Sequence, residues 1–373
     1  MGERVTPTQG PPNYWDYLRL QDLLSMQGGL EDDSNNLMPD ELHFIIVHQV
    51  FELWFKLVLR ELRLARDHLE APRLAEEAVP HVVHHLRRTN AILRLCRDQF
   101  GIMETLTPQD FLAFRDKLIP ASGFQSFQLR EIELLLGLED SQREAEAGVD
   151  PMAAIKALAE TSTGGNYAWA RIEAAREEST LRSCLHAWLY RTPIQGSTPD
   201  DPGDAEVVQK FLGDYLKSMQ DFDASRLEFF TRVPGAEAGA TKSRLEGALA
   251  SAKTFLFAED LPEEERLRTM RVRAGLVFIE SYRRLPLLAW PRVLVDTIVE
   301  LEENLVLWRT RHVRMVERVI GRRIGTGGSA GVDYLEQTTK YRIFTNLWTV
   351  RTLLLPASAL PSLENPDAYG FAR

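Results

Sequence analysis

Cysteine is nearly absent from this chain of 373 residues: only Cys96 and Cys184 occur, far apart in sequence. That excludes a disulfide framework, a zinc-ribbon spacing and a c-type haem attachment motif. Excess positive charge is also missing. The formal net charge is -10, which argues against a general binder of nucleic acid or anionic membrane, since neither polyanion is attracted. The opening stretch MGERVTPTQGPPN has no continuous apolar region of the kind a secretory signal needs. No uninterrupted apolar run is long enough to span a bilayer. A soluble, cytoplasmic protein is expected. Alternating strand patterns and internal repeats are absent as well.

What is present is helical periodicity along most of the chain. The length allows two or three domains' worth of material, or one large helical domain. Residues 1–13 are polar and rich in Pro and Gly, and are expected to be mobile. A short helix is predicted within Tyr14–Gln27. A long one is predicted over about 40–70, where Pro39, Asp40 and Glu41 suit a first turn. Further helices are expected over roughly 81–99, from Thr107-Pro108 to about Leu118, and over Ser126–Leu138, with a break at Pro120–Gln125. Breaks at Gly148–Pro151, Thr192–Asp204 and Val233–Ala240 separate shorter, charged helices, so residues 139–265 read as a helical insertion. Residues 14–138 and 266–373 read as the main body. A last long helix runs from about Pro291 to Ile320, with Gly321 as its cap. The glycine-dense loop Gly325–Gly331 and two short helices follow.

Glu41–Leu62 is the most informative stretch. Leu42, Ile45, Ile46, Gln49, Val50, Leu53, Trp54, Leu57 and Val58 recur at the steps of one helical face. His48 sits beside that stripe, and Phe44 lies one turn before it. On the last long helix, His312 falls in register with Leu301, Leu305, Trp308, Met315, Val316 and Val319. A single buried histidine is more often a hydrogen-bonded core residue than a ligand. Two on separate helices point instead to a cofactor held between facing helices of a bundle. His81, His84 and His85 cluster locally, but no HExxH pattern or third carboxylate accompanies them, and they read as a solvent face. Arg115 lies one turn from Phe111 among apolar neighbours. Its guanidinium needs a carboxylate or phosphate partner, or a structural pair with Asp116 or a distant Glu. The loop Gly325–Gly331 is no P-loop, since no Lys-Ser/Thr follows. Its glycines permit close backbone approach, and Thr326 could place a hydroxyl on a ligand.

Five segments, in order, resemble the tryptophan 2,3-dioxygenase family. They are Tyr14-Trp-Asp-Tyr17-Leu18-Arg-Leu; Asp40-Glu-Leu-His-Phe44-Ile-Ile-Val-His48-Gln with Glu52-Leu-Trp54; Glu104-Thr-Leu-Thr-Pro108 with Phe114-Arg115-Asp116 and Ser122-Gly-Phe-Gln-Ser126; Trp308-Arg-Thr-Arg-His312; and Gly325-Thr326-Gly-Gly-Ser329. The resemblance covers the two ends of the chain and leaves 139–265 without motifs. It implies an all-α helical bundle around a haem pocket, assembled as a homotetramer with one haem b per subunit. His312 would be the proximal iron ligand. His48, the catalytic residue, would stand on the distal side and hydrogen-bond the indole N–H. Arg115 would grip the substrate carboxylate, with Thr326 at the carboxylate and ammonium end. Phe44, Phe111, Leu118 and Ser122 would line the pocket. Tyr14, Tyr17 and Leu18 would complete the pocket of a neighbouring subunit. The substrates would be L-tryptophan, or a close indole amino acid, and O2.

Some positions depart from the family pattern. Pro39 stands where His is usual, His43 where Leu is usual, and Thr310 where an aromatic residue is frequent. Phe111 stands where members vary between Tyr and Phe, and Ser329-Ala330 replaces a common Ser-Ser. No proposed catalytic group is lost, but His43 and Thr310 leave room for a changed substrate or outcome. Three readings follow. The first is insertion of O2 across the indole C2–C3 bond to give N-formylkynurenine. The second is addition of one oxygen atom to tryptophan or a substituted tryptophan, for instance to form an oxindole. The third is a non-catalytic haem-binding sensor, against which the polar set His48, Arg115 and Thr326 argues.

Overall fold

The computed structural model describes residues 11, 13–143, 151–232, 238–328 and 330–370. Most of the stretch expected to be mobile (1–13), Ser329, and most of the expected breaks at 148–151 and 233–240 lie outside the described residues. Among the described residues the chain is all-α, with one isolated β-bridge between Ile194 and Ser197 and no β-strand. In order, the helices are α1 (Tyr14–Leu18), α2 (Leu20–Leu23), α3 (Pro39–Glu70), α4 (Val79–Met103), α5 (Pro108–Phe114) and α6 (Phe127–Leu136). Then come α7 (Pro151–Ala159), α8 (Thr163–Arg176), α9 (Leu181–Tyr190), α10 (Asp204–Thr231), α11 (Ala238–Leu256) and α12 (Glu263–Ser281). The chain ends with α13 (Ala289–Ile320), α14 (Val332–Thr338) and α15 (Thr345–Leu353).

Local chemistry sets most boundaries. α3 starts with Pro39, whose missing N–H costs nothing there, and Glu41 turns back to accept from the Met38 N–H at 3.1 Å. The helix predicted to reach Leu118 stops at Phe114 and tightens into a 3-10 turn over Arg115–Leu118. The Ser126 hydroxyl caps α6, accepting from the Leu129 N–H at 3.3 Å. Gly321 closes α13 at φ 59°, a conformation that suits glycine, and its N–H reaches the Glu317 carbonyl at 2.9 Å. The predicted helix within Tyr14–Gln27 is two pieces, because Arg19 takes a left-handed conformation between them. Within the predicted insertion, α10 runs for 28 residues and is not a short helix.

α4 packs against both α3 and α13, and these three long helices frame the molecule. One large apolar core joins them with α6, α9, α10, α12 and α15. Residues 181–219 and 252–258 contribute to that same core, while Met152, Ile155, Ala168 and Ile172 form a separate small cluster.

The face that α3 buries is not the expected one. Its core-facing residues are Val47, Phe51, Phe55, Val58, Leu59, Leu62, Ala65 and Leu69, each Phe worth about 1.5–3 kcal/mol when fully buried. Of the predicted stripe only Val58 is fully buried, and Ile46 and Leu53 are 43% and 50% exposed. The helix is apolar on nearly every side, so periodicity alone could not choose a face. For the same reason α3 is long and apolar enough, by length and composition, to cross a membrane, the one such helix among the described residues. Glu52 and Lys56 interrupt the apolar run, which is why no continuous span was expected.

Candidate active site

A largely apolar cavity with about 1050 Å³ of free space, part of it open to solvent, lies between α3, α6, α13, α14 and the 115–124 segment. α3 contributes Phe44 and His48. The Phe44 and His48 rings are 4.1 Å apart between centroids, and Phe44 also packs edge-on against Phe114 at 5.6 Å and near Phe111 at 5.8 Å. Nδ1 of His48 is 2.8 Å from the Phe44 carbonyl. A carbonyl can only accept, so Nδ1 carries the proton and Nε2 is left as an acceptor. Burial, and then the charge of His43, hold His48 below the ordinary imidazole value against the opposing pull of the Phe44 bond. The ring is therefore neutral near pH 7.

The opposite wall comes from α13. His312 stacks on Phe100 at 5.4 Å, nearly parallel at 7°, and lies tilted by 40° against Trp308 at 5.2 Å. It makes no side-chain hydrogen bond to a described residue, so aromatic packing alone fixes its ring. Part of the ring edge is open to the cavity, yet its surroundings are apolar. Burial, helped by nearby His48, Arg309 and Arg130, pushes His312 down to about 4. Neutral imidazole is the form that binds a metal.

The polar end is built by strapping the glycine loop to the segment after α5. Arg115 donates through Nη2 to the Ile324 carbonyl. The Thr326 hydroxyl donates to the Ala121 carbonyl at 2.6 Å, which leaves its oxygen free to accept. Gly327 lies so close that a Cβ there would stand 2.7 Å from Ser122 Cβ. Arg115 forms no ion pair with Asp116 or any other described carboxylate, and its buried Nε has no partner. A half-buried guanidinium with a spare donor beside a cavity is a site for an anionic ligand group.

Of the residues singled out in the sequence, Phe44, His48, Phe111, Arg115, Ser122, Thr326 and His312 all line this cavity. Leu118 does not; it packs against the core behind it. Tyr14, Tyr17 and Leu18 are 68%, 80% and 43% exposed and touch none of it. Neither His43 nor Thr310 lines it. His43 keeps a buried Nε2 without a partner, and the exposed Thr310 bonds back to the Val306 carbonyl at 2.8 Å. Among the lining residues that the sequence did not single out, two are charged: Arg130 and Arg309, both at least nine-tenths buried. On paper Arg130 and Glu133 look like an ordinary i,i+3 surface pair.

Comparison with known proteins bears on this arrangement. The family model described as tryptophan 2,3-dioxygenase matches residues 4–354. The chain belongs to the tryptophan 2,3-dioxygenase family. It is 46% identical over 370 residues to tryptophan 2,3-dioxygenase 2 of Ralstonia nicotianae, covering 97% of this chain and 98% of that protein. It is 46% identical over 382 residues to tryptophan 2,3-dioxygenase of Sorangium cellulosum, covering 99% and 91%. A tryptophan 2,3-dioxygenase-like protein of Xanthomonas campestris is 47% identical over 272 residues, 71% of this chain and 98% of its own. Four of the five segments that carry the family resemblance contribute residues to this one cavity, and the fifth, Tyr14–Leu18, stays outside it.

Proposed function

We propose that this chain is a haem-dependent tryptophan 2,3-dioxygenase that inserts both atoms of O2 across the indole C2–C3 bond of L-tryptophan, giving N-formylkynurenine. The observation that carries this reading is a convergence. One apolar cavity holds an acceptor nitrogen on His48, an arginine with an unused donor, and a neutral imidazole on the opposite wall with no hydrogen bond to a described residue.

The residues fit a haem b. His312 is a neutral imidazole with no hydrogen bond to a described residue, and Trp308, Met315, Val316 and Val319 line the cavity beside it. In this reading His312 holds the iron, and the haem, when bound, supplies the O2 chemistry that no side chain here can perform. The chain's own task is placement. Arg115 takes the substrate carboxylate through its guanidinium fork. Thr326, already donating to Ala121, accepts from the ammonium. Phe44 and Phe111 face the indole ring. His48 Nε2 accepts the indole N–H and so fixes which edge of the ring is turned to the reacting centre. Ser122 closes the pocket beside the glycine loop, and Leu118 supports that wall from behind. None of these residues has to move a proton.

Exposure of Tyr14, Tyr17 and Leu18, together with the uncovered Ile46–Leu53 face of α3, supports a homotetramer in which the N-terminal segment completes a neighbour's pocket. The one-oxygen outcome drew on His43 and Thr310, which lie off the cavity. The unused donor on Arg115 favours an amino-acid site over a sensor. The deciding experiment supplies the reduced protein with L-tryptophan and 18O2 and weighs the product. Two labelled atoms are expected. One labelled atom, or no turnover by haem-loaded protein, would overturn the assignment.

A further inference from the structure

Arg130, on α6, is 5% exposed and lines the cavity. Its side chain donates no hydrogen bond to a described residue. Nη1 lies 2.8 Å from Glu133 Oε2, but outside hydrogen-bonding geometry, and Nε is buried and unpartnered. Glu133 is not Arg130's alone. Arg309 donates to Glu133 Oε1 at 2.8 Å, and Arg143 Nε stands 3.7 Å from Oε2. Burial would raise the Glu133 carboxyl, but the three guanidiniums outweigh it and keep it ionised. Arg309 is otherwise held, with Nη1 at 3.4 Å from the Thr338 carbonyl and its guanidinium 4.8 Å above the Tyr341 ring.

Arg130 and Arg309 therefore bring two positive charges to one negative charge in a nearly dry wall, on the same side as His312. Buried guanidinium that lacks a hydrogen-bonded anion is costly, and removing one partner of a buried pair destabilises strongly. The arrangement calls for a further anion on the cavity side. Arg115 already answers to the single carboxylate of an amino acid. A haem carries two propionate carboxylates on one edge, a chemistry that a second arginine site would match.

We propose that Arg130, oriented by Glu133 and flanked by Arg309, docks a carboxylate side chain of the haem. This rests on the haem reading above. Glu133 is then a positioning residue that holds two guanidiniums at the cavity edge without filling the site.

The test loads the full-length protein either with haemin or with haemin dimethyl ester, whose carboxylates are blocked, and times loss of the Soret absorption to excess apomyoglobin. The ester should leave wild-type protein about 10- to 100-fold faster than haemin. Arg130→Gln should speed loss of haemin by about 10-fold or more and leave loss of the ester unchanged. Arg130→Lys, which keeps the charge but not the fork, should fall between. Equal loss of haemin and ester from wild-type protein would overturn the proposal, and so would an Arg130→Gln that speeds both alike. If Arg130→Gln does not fold, Arg130→Lys carries the test: it must lose haemin faster than wild-type protein and lose the ester at the wild-type rate, and equal behaviour with both would overturn the proposal. A wild-type protein that takes up neither form would overturn the haem reading itself and this proposal with it.

Discussion

Nδ1 of His48 donates to the carbonyl of Phe44, one helical turn earlier, at 2.8 Å. That backbone bond fixes the tautomer and turns a lone pair toward the cavity. A site with a fixed acceptor prefers an indole that still has its N–H. Wild-type protein should use 1-methyltryptophan less well than tryptophan by about 5- to 10-fold in kcat/KM, the value of one neutral hydrogen bond. His48→Ala should narrow that gap while lowering activity on both. A gap that persists in the variant would remove His48 from indole recognition. The acceptor role needs neutral imidazole, and burial keeps His48 below 6.5. Its contribution is therefore intact above pH 6.5 and is lost only further into acid. An acid limb in kcat/KM starting above pH 7 would contradict this.

Arg115 has an unpaired buried Nε and a single backbone partner, Ile324. Arg115→Ala should raise KM for tryptophan about 10- to 100-fold, as expected for loss of a charge-assisted clamp worth roughly 1.5–3 kcal/mol. Binding of tryptamine, which lacks the carboxylate, should barely change. Parallel losses for both ligands would mean that Arg115 holds the loop and does not grip the substrate.

Gly327 has no room for a side chain, because a Cβ would meet Ser122 Cβ at 2.7 Å. Gly327→Ala should push the loop off the 115–122 segment, move Thr326 and Arg115 together, and raise KM several-fold with little change in Tm, since the loop is exposed. Adding Ser122→Gly removes the clashing atom and should restore most of the loss. Failure of that rescue would place the effect elsewhere.

His186 is far from the cavity residues in sequence and is pushed down to about 4, first by burial and then by Arg182, Arg273 and Arg268. Its folded value is below its unfolded value of about 6.5, so the unfolded chain binds the proton more readily. The sign follows: the folded state loses stability as pH falls from about 6.5 toward 4, and gains none back below that. The loss is on the order of 3 kcal/mol at most. His186→Gln should flatten this part of a denaturation midpoint against pH curve. An unchanged slope would show that His186 is not a major acid-sensitive group.

Helix positions were legible because they are written locally. Pro39, Ser126 and Gly321 mark ends through bonds within a few residues, and the Leu305–Trp308–His312 spacing puts His312 on the inner face of α13. Arg115 and His48 were recognisable as chemistry out of place beside apolar neighbours, and Thr326 as the hydroxyl of a glycine-dense loop. The face of α3 was not legible, because that helix offers apolar residues in almost every direction. Arg130 was hidden for another reason: three residues from Glu133, it matches the pattern of countless exposed pairs.

The sequence by itself determined an all-α chain, the helix ends marked by Pro39, Ser126 and Gly321, and the polar residues that depart from an apolar pattern, since all of these depend on contacts within one or two helical turns. Only the tertiary structure decided what meets what. Arg115 and Ile324 are 209 residues apart, and Arg309 and Glu133 are 176 apart. No local rule relates such pairs. They are joined because α3, α4 and α13 bury their shared core, and that packing carries the glycine loop onto the 115–122 segment and three guanidiniums onto one carboxylate.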